Sequence, residues 1–230
     1  MLRRLAADRA TGALVRDHGT LYLADGCVVH AESPVAPGLD VLLGGASRVG
    51  AGEREICRLG ALYDAAFFAL APGRGPARFR YGAEPETEPG PGAGAGPEPG
   101  PARPVSAADV ERETLRRREL LDSVWPYPDV DAAPVVPRPP APGQTVTARG
   151  RALLARADGV RTPAQLAWVL GRPAFHTLLE VRRLAAAGLV ETPPPAAAPH
   201  PTPHASPAVT PPDPDVALLR RVLDALEAQL

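Results

Sequence analysis

Proline divides this chain before any other feature acts on it. Of 230 residues, 30 are proline. They gather in a Pro/Gly/Glu run over 85–104, a Pro-rich run over 126–142 and a Pro/Ala/His run over 193–214. Proline lacks a backbone N–H and fixes φ, so such runs interrupt helices and central strands. They also hold too little apolar surface to offset the entropy of ordering alone. The foldable stretches are therefore 1–82, 105–125, 145–192 and 213–230. The first and third are each long enough for a small core, near the lower limit for independent stability.

The most informative of these is 145–192. Thr145 or Thr147 caps a first helix over about 148–157, with Leu153 and Leu154 inward, and Asp158-Gly159 stops it. Thr162 caps a second helix, and Pro163 sits at the first helical position, where its missing N–H costs nothing. Leu166, Ala167 and Leu170 face in. Gly171-Arg172-Pro173 makes a turn, and a third helix runs from Pro173 to Ala187 with Leu178, Val181, Leu184 and Ala185 on one face. Gly188 ends it and the apolar pair Leu189-Val190 follows. This order reads as a helix-turn-helix leading into a short wing. The pattern Asp158-Gly-Val-Arg-Thr-Pro-Ala-Gln-Leu-Ala167 with Leu184-Ala-Ala-Ala-Gly-Leu-Val190 resembles winged-helix domains.

A helix that reads duplex DNA needs polar or basic side chains outward. Here the expected outer face carries Phe175, Leu179, Arg182 and Ala186. His176, Thr177, Arg182 and Arg183, with Arg172 in the turn, are the candidate nucleic-acid contacts. Phe175 and Leu179, exposed together, would form an apolar patch of the kind that meets another protein. Charge argues for DNA: 145–192 holds seven arginines against Asp158, Glu180 and Glu191, hence 7 − 3 = +4. Each arginine near a phosphate releases counterions. The whole chain, at a net charge of −1, is not a polyanion binder. All 25 of its basic residues are arginine, which with its Ala, Pro and Gly content reads as the codon bias of a high-GC bacterial genome.

In the N-terminal stretch, residues 2–9 read as a short helix with Leu2 and Leu5 inward. Three strands follow within 12–32. They are joined by a turn at Asp17-His-Gly19 and by Asp25-Gly26, a strong hairpin signal because glycine accepts positive φ. Pro37 starts a helix with Leu39, Leu42 and Leu43 inward. A longer helix spans about 53–70, its inward face drawn from Ile56, Leu59, Leu62, Tyr63, Phe67 and Leu70. Phe79 and Tyr81 alternate with Arg78 and Arg80 as on a half-buried strand. Thr11-Gly-Ala-Leu14, Leu21-Tyr-Leu-Ala-Asp-Gly26, Val28-Val-His-Ala31 and Pro37-Gly-Leu-Asp-Val-Leu-Leu43 together resemble the PATAN domain, a small α+β module of bacterial signalling proteins. The likeness covers about residues 2–82. It departs from the family in lacking the first strand and most of the first helix before Leu2. The departure implies a late start or completion by another chain. The resemblance implies protein–protein interaction and no chemistry of its own.

Between these lies a helix over 106–124, with Ser106 as cap, Val110, Leu121 and Val124 as a thin apolar stripe, and Arg116-Arg117-Arg118 outward. At the C-terminus Asp213-Pro214 opens a last helix. Val216, Leu219, Leu223, Leu226 and Leu230 recur at coiled-coil spacing, and Leu218 and Val222 widen the seam. Sixteen or so residues are marginal as a lone helix, so the seam needs the body of this chain, a second copy or another protein, and a dimerising or docking helix is expected.

Signals for chemistry are sparse. His30 and Glu32 share one strand face with no nucleophile nearby, Cys57 sits on an apolar helix face, and His200 and His204 lie in a linker. Cys27 and Cys57 make no disulfide framework and read as thiols in a reducing cytoplasm. No phosphate loop, paired carboxylates, activated nucleophile or metal-ligand spacing is visible, and no signal peptide or membrane span. The expectation is a cytoplasmic, non-enzymatic transcriptional or signalling regulator without cofactor, metal or small-molecule substrate. Its fold class is α+β: a small antiparallel-sheet and helix domain at 1–82, a winged helix at 145–192, a connecting helix at 105–125, disordered linkers at 83–104, 126–144 and 193–212, and a terminal amphipathic helix at 213–230. Duplex DNA, or a protein partner without DNA binding, are the two partner classes it leaves open.

Overall fold

The computed structural model describes residues 1–44, 49–85 and 103–192. It is a mixed α/β fold with one five-stranded antiparallel sheet and several helices. The described residues all fall within one compact unit, Met1–Pro193. The expected helix at 213–230, with Val216, Leu219, Leu223, Leu226 and Leu230, lies outside the described residues, as do most of the linkers at 83–104 and 193–212.

Helix α1 (Leu2–Ala7) tucks Leu2 and Leu5 under the sheet edge. Strands β1 (Gly12–Arg16), β2 (Gly19–Ala24) and β3 (Cys27–Glu32) form the meander. The β2–β3 hairpin turns at Asp25 and Gly26, both at positive φ (49° and 78°). Such a turn matches the right-handed twist of the flanking strands. The register shifts at Tyr22/Leu23, so that Leu21 faces Ala31 and Leu23 faces Val28. One extra β3 residue lets both Val28 and Ala31 point into the core, which strict alternation forbids. Helix α2 (Leu39–Leu42) is a single turn, and Leu39, Leu42 and Leu43 are only half-buried.

Helix α3 (Ala51–Ala69) crosses the inner sheet face. Its C-terminal half is buried through Leu62, Ala65, Ala66, Phe67 and Ala69, whereas Ile56, expected inward, is 73% exposed. Residues 51–54 at the start of α3 are exposed as well. Strand β4 (Arg78–Tyr81) forms one sheet edge beside β1, and β5 (Val105–Ser106) the other beside β3. Phe79 is half-buried as expected, but Tyr81 stands at the sheet end, 79% exposed.

Ser106 caps α4 (Ala107–Val124), its hydroxyl accepting from the Asp109 N–H at 3.0 Å. This helix packs against α1, α3 and the sheet, and buries Val110 and Leu121. Arg117, expected to face outward with its neighbours, is 8% exposed. The next stretch corrects a second expectation. Residues 126–144, read as a linker from their prolines, are ordered onto the protein. Pro128–Asp131 is a 3-10 turn, and Val130 and Val135 are core residues. The Val135 N–H donates to the Arg161 carbonyl, and Arg138 N–H to that of Leu189. The prolines leave enough N–H groups free for this segment to be fastened at intervals rather than by a ladder.

Helices α5 (Ala148–Leu154), α6 (Pro163–Leu170) and α7 (Ala174–Ala186) close the fold. Leu153, Leu166, Val181, Leu184, Leu189 and Val190 form their shared core together with Val130 and Val135. Val190 makes a single antiparallel bridge with Pro137. No described helix is long and apolar enough to cross a membrane.

Candidate macromolecular interface

Local chemistry sets each helix of the α5–α7 unit. The Thr147 hydroxyl accepts from the Gly150 N–H at 2.9 Å to start α5. Thr162 and Gln165 form a reciprocal capping box on α6, satisfying two N–H groups that a helix start leaves open. Gly171 ends α6 at φ 58°, ψ 41°, a left-handed conformation that glycine adopts without strain. Pro173 then precedes α7, whose own sequence offers no side-chain cap.

That cap comes from elsewhere in the fold. The Asp64 carboxylate on α3, 0% exposed, accepts from the Ala174 N–H at 2.6 Å and the Phe175 N–H at 2.8 Å. A carboxylate at a helix N-terminus meets open donors and the positive end of the helix dipole. Burial nevertheless raises the Asp64 pKa above the usual carboxylate range, opposed by those two N–H groups and by Arg117. Arg117 Nη1 stands 3.6 Å from Asp64, its guanidinium lies 4.7 Å over the Phe175 ring, and its Nε donates to Glu113 at 2.8 Å. Glu113 also pairs with Arg116, and these two arginines hold its pKa down to about 2 against desolvation.

This arrangement overturns the expected outer face of α7. Phe175 is 2% exposed and Leu179 6%; with Phe67 of α3 and Leu121 of α4 they make a small core of their own. The Phe67 and Phe175 rings meet edge to face at 5.3 Å. Arg182, a candidate for phosphate or base contact, is 3% exposed. Its guanidinium donates to Asp131 at 2.5 and 2.8 Å, to the Trp125 carbonyl at 2.7 Å and to Asp122 at 3.2 Å. Thr177 is 3% exposed, its hydroxyl donating to the Pro173 carbonyl. The physical reason is that α7 is apolar on both flanks. One flank fills the α5–α7 core and the other is taken by α3 and α4.

The remaining candidates stay near the surface. His176 is exposed, yet desolvation first, and then Arg117, Arg149 and Arg183, hold its pKa below the ordinary histidine value, so it is neutral at pH 7. Arg183 is half-exposed and lies 3.5 Å from Glu180, while Arg172 is half-buried. The apolar surface that the trihelical unit shows to solvent includes Trp168 and Val169 of α6, 43% and 47% exposed.

Chemistry-bearing groups are elsewhere scattered. His30 Nε2 lies 3.1 Å from Glu32, both half-exposed on β3. Cys27 and Cys57 are free thiols, each half-buried. A hollow of about 270 Å³ is lined by Leu70, Glu111, Thr114, Leu115 and Arg118. Its Thr114 hydroxyl is committed to the Val110 carbonyl and its Arg118 to the Leu70 carbonyl. Among the described residues no group of three or more His, Cys, Asp or Glu side chains could hold a metal ion.

Asp64 and Arg117 escaped the sequence reading. The available signal was an aspartate inside the apolar run Tyr63-Asp-Ala-Ala-Phe-Phe68, where a charge is tolerated only with a partner. Compared with known proteins, the chain matches no family profile, no curated protein and no solved structure.

Proposed function

We propose that this protein is a non-enzymatic regulator that works by touching another macromolecule, and that the partner is a protein rather than duplex DNA. The observation that carries this is the orientation of the α5–α7 unit. Its third helix, which would enter the major groove in a winged-helix reader, is packed inward with Arg182 and Thr177 buried. On α6 the unit presents Trp168 and Val169 to solvent instead. An exposed aromatic and aliphatic pair suits a protein contact, where tryptophan is a frequent anchor. The PATAN-like pattern over residues 2–82 supports the same reading, as does the winged-helix-like order of α5–α7, a scaffold used for protein as well as nucleic-acid contact.

A DNA-binding transcriptional regulator is the second reading. What favours it is charge: Arg149, Arg151 and Arg156 are exposed around α5, with no carboxylate partner among the described residues. Fluorescence anisotropy of a labelled duplex, titrated at low and at physiological salt, separates the two. The protein-contact reading predicts no salt-sensitive binding by the full chain. It also predicts that Trp168→Glu with Val169→Glu abolishes cross-linking to the natural partner while thermal stability is kept. Tight duplex binding that falls steeply with salt would overturn it.

A further inference from the structure

The packing of α7 on α3 and α4 is built unlike the two cores on either side. Those cores are built mainly from apolar side chains. The junction has a small cluster of its own, Phe67, Leu121, Phe175, Leu178 and Leu179, beside which Ala167 and Ala174 reach into the sheet-half core. It is bracketed by charge at both ends, the buried Asp64–Arg117 pair at one and at the other the buried Arg182, which reaches the exposed Asp122. Arg117 Nη1 has no hydrogen-bond partner there, at 3.6 Å from Asp64. Buried ion pairs seldom add stability over apolar replacements of the same shape, and a buried donor left unmade costs free energy. A small apolar centre ringed by charge is the anatomy of a docked surface, which within one chain is more polar than a core.

The covalent path fits the same picture. Residues 128–137 share the α5–α7 core through Val130 and Val135, and Asp131 is tied to Arg182. This body is joined to α4 by Trp125-Pro126-Tyr127, in extended conformation (Trp125 φ −156°, ψ 110°; Tyr127 φ −100°, ψ 103°). A short extended connection at an element end is where hinge motion is absorbed.

We propose that the α7 junction is a latch: α5–α7 with residues 128–137 docks on α3 and α4, withholds Phe175, Leu178 and Leu179 from partners, and opens as a body about Trp125–Tyr127. Asp64 is the catch, because among the described residues it supplies the only acceptors for the first two α7 amides. Opening exposes an apolar helix face that the closed form hides. The latch rests on the interaction reading above for its purpose, but its test needs no partner, so failure of either leaves the other to be judged separately.

Native-state hydrogen exchange on the full chain, followed residue by residue, provides that test. The Ala174 and Phe175 amides exchange only when they leave Asp64, whereas those of Leu184 and Ala185 report unfolding of the trihelical body itself. The latch predicts exchange at Ala174 and Phe175 at least about tenfold faster than at Leu184 and Ala185 in the wild type, with a smaller denaturant dependence. Asp64→Asn should speed the first pair by a further factor of about ten and leave the second unchanged. A single shared protection for all four amides in the wild type would overturn the latch. So would an Asp64→Asn variant in which all four accelerate together or none does.

Discussion

The sheet half and the α7 junction are both buried, but they are held by different physics. In the sheet half, Leu14, Leu21 and Val28 lie within 1% of full burial and meet α3 through Leu62, Ala65 and Ala66. Position follows there from alternation along strands and from one helix face, and any apolar residue of similar volume would serve. At the junction, Asp64 holds backbone amides 110 and 111 residues away, and Arg182 gathers Asp122, Trp125 and Asp131. Position follows there from directional bonds to particular atoms. The first kind of contact supplies stability, and the second specifies how α7 sits.

Substitutions can sharpen or break that contrast. The largest loss is expected inside an apolar core. Leu166→Ala, at a fully buried site of the trihelical unit, should cost about 2–5 kcal/mol in urea denaturation. Arg182→Ala comes next. It strands the part-buried Asp131 and the Trp125 carbonyl, at a cost of about 3 kcal/mol. Arg182→Met refills the space but strands the same acceptors, so it should cost nearly as much. A loss for Arg182→Ala with none for Arg182→Met would mean that the guanidinium acts by volume alone. Cap removal is smaller: Thr162→Ala removes the hydroxyl that accepts from the Gln165 N–H, leaves the backbone half of the α6 capping box in place, and should cost about 1 kcal/mol. Smallest is Arg112→Ala at the exposed pair with Asp109, expected within about 0.5 kcal/mol of zero.

Acid distinguishes the two carboxylates at the junction. Glu113 titrates near 2 in the folded chain against 4.5 in its absence. Its contribution is therefore present above pH 4.5 and is lost as pH falls toward 2. The destabilisation caused by Glu113→Gln should accordingly be largest above pH 4.5 and vanish near pH 2. Asp64 has the opposite sign. Its pKa is raised by burial, so its protonated form favours the fold. The contribution is complete below the ordinary value of 3.8 and is lost as pH rises through the folded pKa. Stability of Asp64→Asn relative to wild type, followed by urea midpoints from pH 3 to 7, should therefore improve as pH rises.

Much of the architecture was legible because it is written locally. Asp25-Gly26 marks its hairpin, Thr162-Pro163 opens α6 and Gly171 closes it. The β3 bulge was hidden, since only pairing across the sheet shows that Val28 and Ala31 share a face. The same limit misplaced Phe175, Leu179 and Arg182. A helix with two apolar flanks signals burial on both, but the second flank's partners lie on α3 and α4, far back in the sequence. Residues 126–144 failed for a related reason: proline density marks where a ladder cannot form, yet Val130 and Val135 needed only a core to enter.

The claim on which all this turns is that Phe175 and Leu179 of α7 face inward while Trp168 and Val169 of α6 face solvent. Thiol modification measures it directly, with single cysteines at Val169 or Leu179 in a chain carrying Cys27→Ser and Cys57→Ser. Val169→Cys should react at nearly the rate of the unfolded chain, and Leu179→Cys about a hundredfold more slowly under native conditions. Equal rates, or faster reaction at position 179, would contradict the account.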